Sequence, residues 1–96
     1  MSEEAVKQRL YRAINSAINL LDRPEGTYRI IRLDGNPFHI EALRPKEIRK
    51  IRIVLDEIQS GDMNMVSNYD KMPDIITREI WCKRFKHGDF EVREVK

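Results

Sequence analysis

Apolar residues recur at three- and four-residue steps at the start of the chain, at Val6, Leu10, Ile14, Ala17, Ile18 and Leu21. This spacing places them on one face of a helix. Ser2, followed by two acids, suits the N-terminus of that helix, and Pro24 with Gly26 ends it. The pattern therefore predicts a first helix ending near Leu21. Its polar face carries Lys7, Arg9, Arg12, Asn15 and Asn19.

Two runs of strand-forming residues follow this helix. Residues 27–33 are mostly β-branched, aromatic or basic, and residues 38–43 alternate apolar with polar side chains. The sequence Asp34-Gly35-Asn36-Pro37 between them is typical of a turn. We therefore expect a β-hairpin whose second strand turns its apolar residues to the core.

The dipeptide Arg44-Pro45 indicates the start of a second helix, with proline at the first helical position. Ser60-Gly61 indicates its end. Between them, one stripe is formed by Ile48, Ile51, Val54, Leu55 and Ile58. We therefore expect a helix over residues 45–60, with Ile53 off the stripe and exposed.

The rest of the chain has a less regular pattern of apolar and polar residues. Residues 62–74 show no clear period and predict a loop. Residues 75–85 are rich in strand formers and predict a strand, although a helix between Pro73 and Gly88 stays open as an alternative. After a turn, residues 90–95 predict a final strand.

The predicted order is helix, strand, strand, helix, strand, strand. It indicates an α+β fold with two helices packed on one face of a four-stranded antiparallel sheet. At 96 residues and 11.4 kDa, a single domain over residues 1–96 is expected. Cys82 is the sole cysteine, and no apolar run suits a signal peptide or a membrane span. We expect a cytoplasmic protein without membrane contact.

The positions of the charged residues are more informative about function than the net charge of +2. Residues 44–52 hold five basic residues and one acid. On a helix these bases would gather opposite the apolar stripe, where positive charge in the first turns opposes the helix dipole. A second basic group, residues 83–87, lies at the last turn. The candidate phosphate-binding residues are Arg44, Lys46, Arg49, Lys50, Arg52, Lys83, Arg84 and Lys86.

These groups predict a small nucleic-acid-binding or regulatory module that contacts DNA or RNA phosphates. Three or four such contacts bind weakly, so useful affinity requires either a homodimer that doubles the basic surface or both basic groups on one face. The alternative is a protein-interaction adaptor or inhibitor that docks an acidic partner surface. Its predicted partner contacts are Ile53 and Trp81, with the Met-rich segment 63–72 as a further anchor.

Catalysis is not predicted. His39 and Glu41 share a strand face, but no serine or cysteine nucleophile is placed beside them by the sequence. Cys82 and His87 are too few ligands to define a zinc site. We therefore expect no enzyme activity, no cofactor and no metal.

Two segments resemble nuclease families. Residues 38–43, followed by basic residues, are similar to the core of resolvase-type nucleases, whose strand carries Glu-x-Lys; here Leu43 replaces the lysine. Residues 20–28 resemble the helix end of LAGLIDADG homing endonucleases, with Glu25 as the metal acid and Pro24 interrupting the helix. The first resemblance implies a nucleic-acid-binding domain that cannot carry out metal-dependent cleavage, so a degenerate nuclease-like domain is a further alternative.

Overall fold

A computed structural model of the chain describes residues 2–22, 28–69, 75–84 and 89–96. Its elements are α1 (Glu3–Leu21), β1 (Arg29–Arg32), β2 (Ile40–Arg44), β3 (Glu47–Leu55), α2 (Ser60–Ser67), β4 (Ile76–Lys83) and β5 (Phe90–Val95). The strands form one sheet in the order β1-β2-β3-β4-β5. Neighbours run antiparallel except β3 and β4, which are parallel. The predicted α+β class is confirmed, but the sheet is mixed and has five strands.

Helix α1 forms where the apolar spacing predicts it. The Oγ of Ser2 accepts a hydrogen bond from the N–H of Ala5 at 3.1 Å and caps the first turn. The helix buries Ala13, Ala17 and Leu21 against the sheet. No helix in the described part of the chain is long and apolar enough to cross a membrane.

The segment predicted as the second helix is strand β3, so that prediction is wrong. Pro45 and Lys46 form a two-residue turn in which Lys46 has a φ of 64°, and the strands on either side pair antiparallel. β3 lies at the centre of the sheet with apolar side chains on both faces. Ile51 and Ile53 pack under α1, whereas Val54 packs on the opposite side. A strand buried on both faces lacks the simple alternation that marks a half-exposed strand.

The two helices cover opposite faces of the sheet, not one face as predicted. α1 packs on Ile51, Ile53 and Trp81, while Val66 of α2 packs on Ile80 and other residues of the second face. Side chains alternate between the faces along each strand, so these two sets point in opposite directions. α2 thereby forms the crossover between the parallel strands β3 and β4.

Helix α2 lies largely inside the segment predicted as a loop. Its first turn is fixed by Asp62, whose Oδ2 accepts a hydrogen bond from the N–H of Gln59 at 3.0 Å. Val66 is the helix's fully buried residue. The helix has eight residues and one buried apolar position. A helical repeat of apolar residues cannot be recognised in so short a segment. The end of the predicted loop, residues 70–74, lies outside the described residues.

The remaining strands agree with the predictions. β1 and β2 form the expected hairpin. The strand predicted for residues 75–85 is confirmed by β4. β5 matches the predicted final strand. β4 buries four consecutive residues from Glu79 to Cys82, because it too is covered on both faces.

Candidate nucleic-acid interface

The five basic residues of segment 44–52 do not share a surface. Because the segment is extended, Arg44 and Arg49 lie on the face covered by α1, whereas Lys50 and Arg52 lie on the opposite face. Lys46 occupies the exposed turn between β2 and β3. The predicted basic helix face is therefore absent.

Four of these five side chains are also neutralised by carboxylates. The partners are Glu47 for Arg44, Glu79 for Arg49, Glu41 for Lys50 and Asp62 for Arg52. Arg52 in addition donates to the carbonyls of Gly35 at 3.0 Å and Pro37 at 2.8 Å. The excess positive charge inferred from the segment alone is balanced by acids from elsewhere in the fold. Arg49, Lys50 and Arg52 are partly buried, hold the sheet together and are poorly placed to bind phosphate, whereas Arg44 is exposed.

The pair with the most deeply buried carboxylate joins β3 to β4. Arg49 donates to both carboxylate oxygens of Glu79, at 2.8 and 2.6 Å, and Glu79 also accepts from Thr77 at 2.8 Å and from the indole of Trp81 at 3.0 Å. Burial alone would raise the pKa of Glu79, but the hydrogen bonds from Arg49, Trp81 and Thr77 hold it below its ordinary value. The hydrogen bonds between Arg49 and Glu79, with the charge of Glu79, raise the pKa of Arg49. This network is structural.

A different set of basic residues lines a cleft of about 170 Å³ between α1 and the carboxyl ends of β3 and β4. We call it the basic cleft. Its cationic residues are Arg9, Arg12, Lys83 and Arg84, and the other lining residues are Ala13, Ser16 and Leu55. Lys83 and Arg84 belong to the second predicted basic group. The third candidate from that group, Lys86, lies outside the described residues.

The topology explains why these side chains meet. Positions 9, 12, 13 and 16 share one face of α1. Leu55 and Lys83 are register partners at the ends of the parallel strands. The N–H of Asp56 donates to the carbonyl of Lys83 at 2.8 Å, which fixes the two strand ends beside each other. An ion pair of 2.9 Å between Arg9 and Asp56 ties the helix to the same place.

Positive charge exceeds negative charge in the basic cleft. Arg9 pairs with Asp56, and the exposed Arg84 lies 3.4 Å from Glu91. The Nζ of Lys83 stands 5.0 Å from the ring centroid of Phe90, a cation–π contact. Arg12 is exposed and has no ion pair within the described part of the chain. The exposed guanidinium of Arg12 is therefore available to an anion.

The two residues predicted to contact a protein partner are buried. Ile53 is 2% exposed and Trp81 is 5% exposed. The expectation that Ile53 lies on an exposed polar arc is wrong, because β3 is a central strand and not a surface helix. Trp81 packs in the core beneath α1, with its indole N–H on Glu79. A partner cannot reach either side chain without opening the core.

The side chains of His39 and Glu41 each have a partner within the fold. The Nδ1 of His39 accepts the N–H of Ile53 at 2.9 Å, and Glu41 pairs with Lys50. Burial, together with the charge of Arg52, lowers the pKa of His39 despite opposition from nearby acids. No group of three or more potential metal ligands occurs among the described residues. Glu25, the acid of the second family resemblance, is not among them.

Sequence reasoning predicted two of the four cationic residues of the basic cleft. Lys83 and Arg84 were recognisable as a basic group, but their partners on α1 were not assigned. Arg9 and Arg12 stand out only as bases on the polar face of the first helix. Which strand ends that helix overlies depends on the parallel pairing of β3 with β4, and the sequence predicted an antiparallel sheet.

Comparisons of the chain with models of protein families, with curated proteins and with solved structures gave no match. The function is therefore inferred from the geometry of the site.

Proposed function

We propose that this protein is a small nucleic-acid-binding module that contacts phosphate groups through the basic cleft. One observation carries the proposal: Arg9, Arg12, Lys83 and Arg84, which come from two distant parts of the sequence, line a single cleft. Lysine and arginine supply most phosphate contacts in nucleic-acid interfaces. The proposal moves the predicted contact surface from segment 44–52 to the other end of β3.

The cleft residues suit different parts of this task. A guanidinium can donate two parallel hydrogen bonds to a phosphate. Arg12 and Arg84 are both exposed, and the contact of Arg84 with Glu91 is long, at 3.4 Å. Lys83 adds a point charge at the base of the cleft. Arg9 is tied to Asp56, so we assign it to holding the helix in place. Three phosphate contacts per protein molecule are therefore expected.

That number sets the strength of binding. Three contacts to duplex DNA give a log-log salt slope of about −2.7, and about −2.1 for a single strand. The dissociation constant at physiological salt should fall in the range of about 10⁻⁴ to 10⁻⁶ M that is typical of contacts without base recognition. Binding of this kind is observable by fluorescence anisotropy at low salt.

The test compares two charge-matched double variants. Arg12→Glu with Arg84→Glu reverses two charges at the cleft, whereas Arg29→Glu with Lys46→Glu makes the same change in net charge near the opposite end of β3, roughly 30 Å away for a nine-residue strand. Both variants are titrated with labelled duplex DNA, single-stranded DNA and RNA at several salt concentrations. Circular dichroism confirms that each is folded.

We expect the cleft variant to bind at least about tenfold more weakly, with a salt slope smaller in magnitude by about 2. The control variant should keep most of the wild-type affinity and slope. Equal losses in both variants would show that only net charge matters and would contradict the proposal. Failure of the wild-type protein to bind any of the three ligands at low salt would leave an acidic protein surface as the partner to test.

A further inference from the structure

Strand β5 forms one edge of the described sheet, with free backbone groups directed outward. The carbonyl of Lys83 accepts the N–H of Asp56, so this residue turns its backbone groups away from β5. Backbone groups alternate in direction along a strand, so the neighbouring Cys82 turns its groups toward its register partner Glu91 on β5. The outward-facing backbone groups of β5 are accordingly those of Phe90, Val92 and Glu94.

This edge lacks proline, lysine and a bulge, although it carries the charged side chains of Glu91, Arg93 and Glu94. Natural edges carry proline, lysine or a bulge that blocks pairing with another chain. Residues 90–95 contain neither proline nor lysine, and their pairing with β4 is continuous. Val92, at the middle of the strand, is 51% exposed. An apolar side chain thus stands at the centre of an edge that can accept a further strand.

We propose that the partner of this edge is the β5 strand of a second copy, paired antiparallel about a two-fold axis through Val92. Opposed residues of antiparallel strands lie on the same face, so a symmetric pairing must be centred on a residue and not between two residues. Centring on Val92 places the two valines opposite each other. The outward backbone groups of the two strands then meet, and the two sheets join into one continuous sheet.

The charges on β5 select this register. With Val92 at the centre, Glu91 of each copy lies opposite Arg93 of the other, so two opposite-charge pairs form on one face of the joined sheet. Both side chains are accessible, at 40% and 50% exposure, and within one copy they form a long contact of 3.9 Å that the pairs between copies would replace. Centring on Glu91, Arg93 or Glu94 would instead oppose two identical charges. Among the registers centred on residues 91 to 94, the strand is therefore complementary to itself in this one.

The other described edge does not offer this fit. β1 is four residues long and carries Arg29 and Arg32 without an acid. In a symmetric pairing of two β1 strands no acid would lie opposite Arg29 or Arg32, so no opposite-charge pair would select a register. Pairing of β1 with β5 of another copy would not close on itself and would produce chains longer than a dimer.

Self-association through β5 is tested by sedimentation velocity on the full chain, from about 10 to about 500 µM, because a contact of one strand falls below the size of a stable interface. The two decisive variants are Arg93→Glu and Glu91→Arg. The first carries acids at both positions and the second carries bases, so each should repel its own kind. Their mixture restores opposite charges at both contacts.

We expect the wild-type protein to dimerise with rising concentration, each variant alone to raise the dimer dissociation constant by about tenfold or more, and the equimolar mixture to dimerise again. Val92→Pro gives a second test, because it removes an outward N–H that β4 does not use and should weaken the dimer without unfolding the monomer. A wild-type monomer throughout the range would overturn the proposal. The proposal would also be overturned if either single variant dimerised as strongly as the wild-type protein, or if their mixture formed no dimer. Species larger than a dimer would contradict it as well.

Discussion

Replacement of Glu79 by glutamine should be among the most damaging conservative changes in this protein. Glu79 is 5% exposed and accepts four hydrogen bonds, two of them from Arg49. Glutamine has nearly the same shape, but its amide nitrogen cannot accept a hydrogen bond and it carries no charge. The substitution therefore leaves the guanidinium of Arg49 uncompensated beneath α1.

Breaking a buried ion pair by removing one partner costs about 3 to 5 kcal/mol. The Arg49 side chain keeps 22% of its surface exposed, which places the expected loss at the lower end, about 3 kcal/mol. For a chain of this size, that corresponds to a fall of about 15 °C in the melting temperature. It is also a large share of the total stability, which for about a hundred residues is roughly 5 to 15 kcal/mol.

Urea denaturation of the wild-type protein and of Glu79→Gln, followed by circular dichroism, measures this loss directly. Asp56→Asn is the matched control, because it makes the same chemical change at an ion pair whose carboxylate is 53% exposed, and it should cost less than about 1 kcal/mol. A loss in Glu79→Gln no greater than in Asp56→Asn would refute the assignment of a stabilising buried pair.

The same pair has a defined pH dependence. The pKa of Glu79 is lower in the folded protein than its ordinary value of 4.5. Its contribution to the free energy of unfolding is therefore complete above pH 4.5 and is lost as the pH falls through the folded pKa. Glu79→Gln should be less stable at pH 7, and its stability should decline less steeply in acid.

Three further outcomes are expected. Because burial and Arg52 lower the pKa of His39 from 6.5, the free energy of unfolding should fall as the pH drops below 6.5; His39→Asn, whose amide oxygen can accept the Ile53 N–H, should remove this slope in urea melts. Gly35→Ala should lower that free energy by about 2 to 3 kcal/mol in thermal melts, because φ is +88° and the new Cβ would lie 2.6 Å from the His39 ring. Cys82 is buried and burial raises its pKa, so a thiol reagent should modify it at least about a hundredfold more slowly in the folded than in the urea-unfolded protein.

The parts of the fold that sequence reasoning predicted correctly have local signals. Helix α1 carries a clean apolar stripe and a serine cap, and the β1–β2 hairpin is marked by a turn sequence around Gly35. β3 was wrongly predicted as a helix because both of its faces are covered. Its apolar residues match a helical stripe equally well, and Pro45 suits both the first turn of a helix and the first position of a tight turn.

The site required information that local patterns do not hold. The bases of segment 44–52 are neutralised by residues such as Asp62 and Glu79, ten and thirty positions from Arg52 and Arg49. These pairs become apparent only once the strand register is known. Lys83 and Arg84 were visible as a basic group, whereas the contribution of Arg12 follows from the place at which α1 crosses the sheet.

The most direct test of the basic cleft is a titration of the isotopically labelled protein with a short duplex DNA, followed through its backbone amide resonances. We expect the largest chemical-shift changes to cluster at residues 9–16 of α1 and at residues 55, 83 and 84. Saturating changes centred on the turn at Lys46, or spread evenly over the surface, would contradict it.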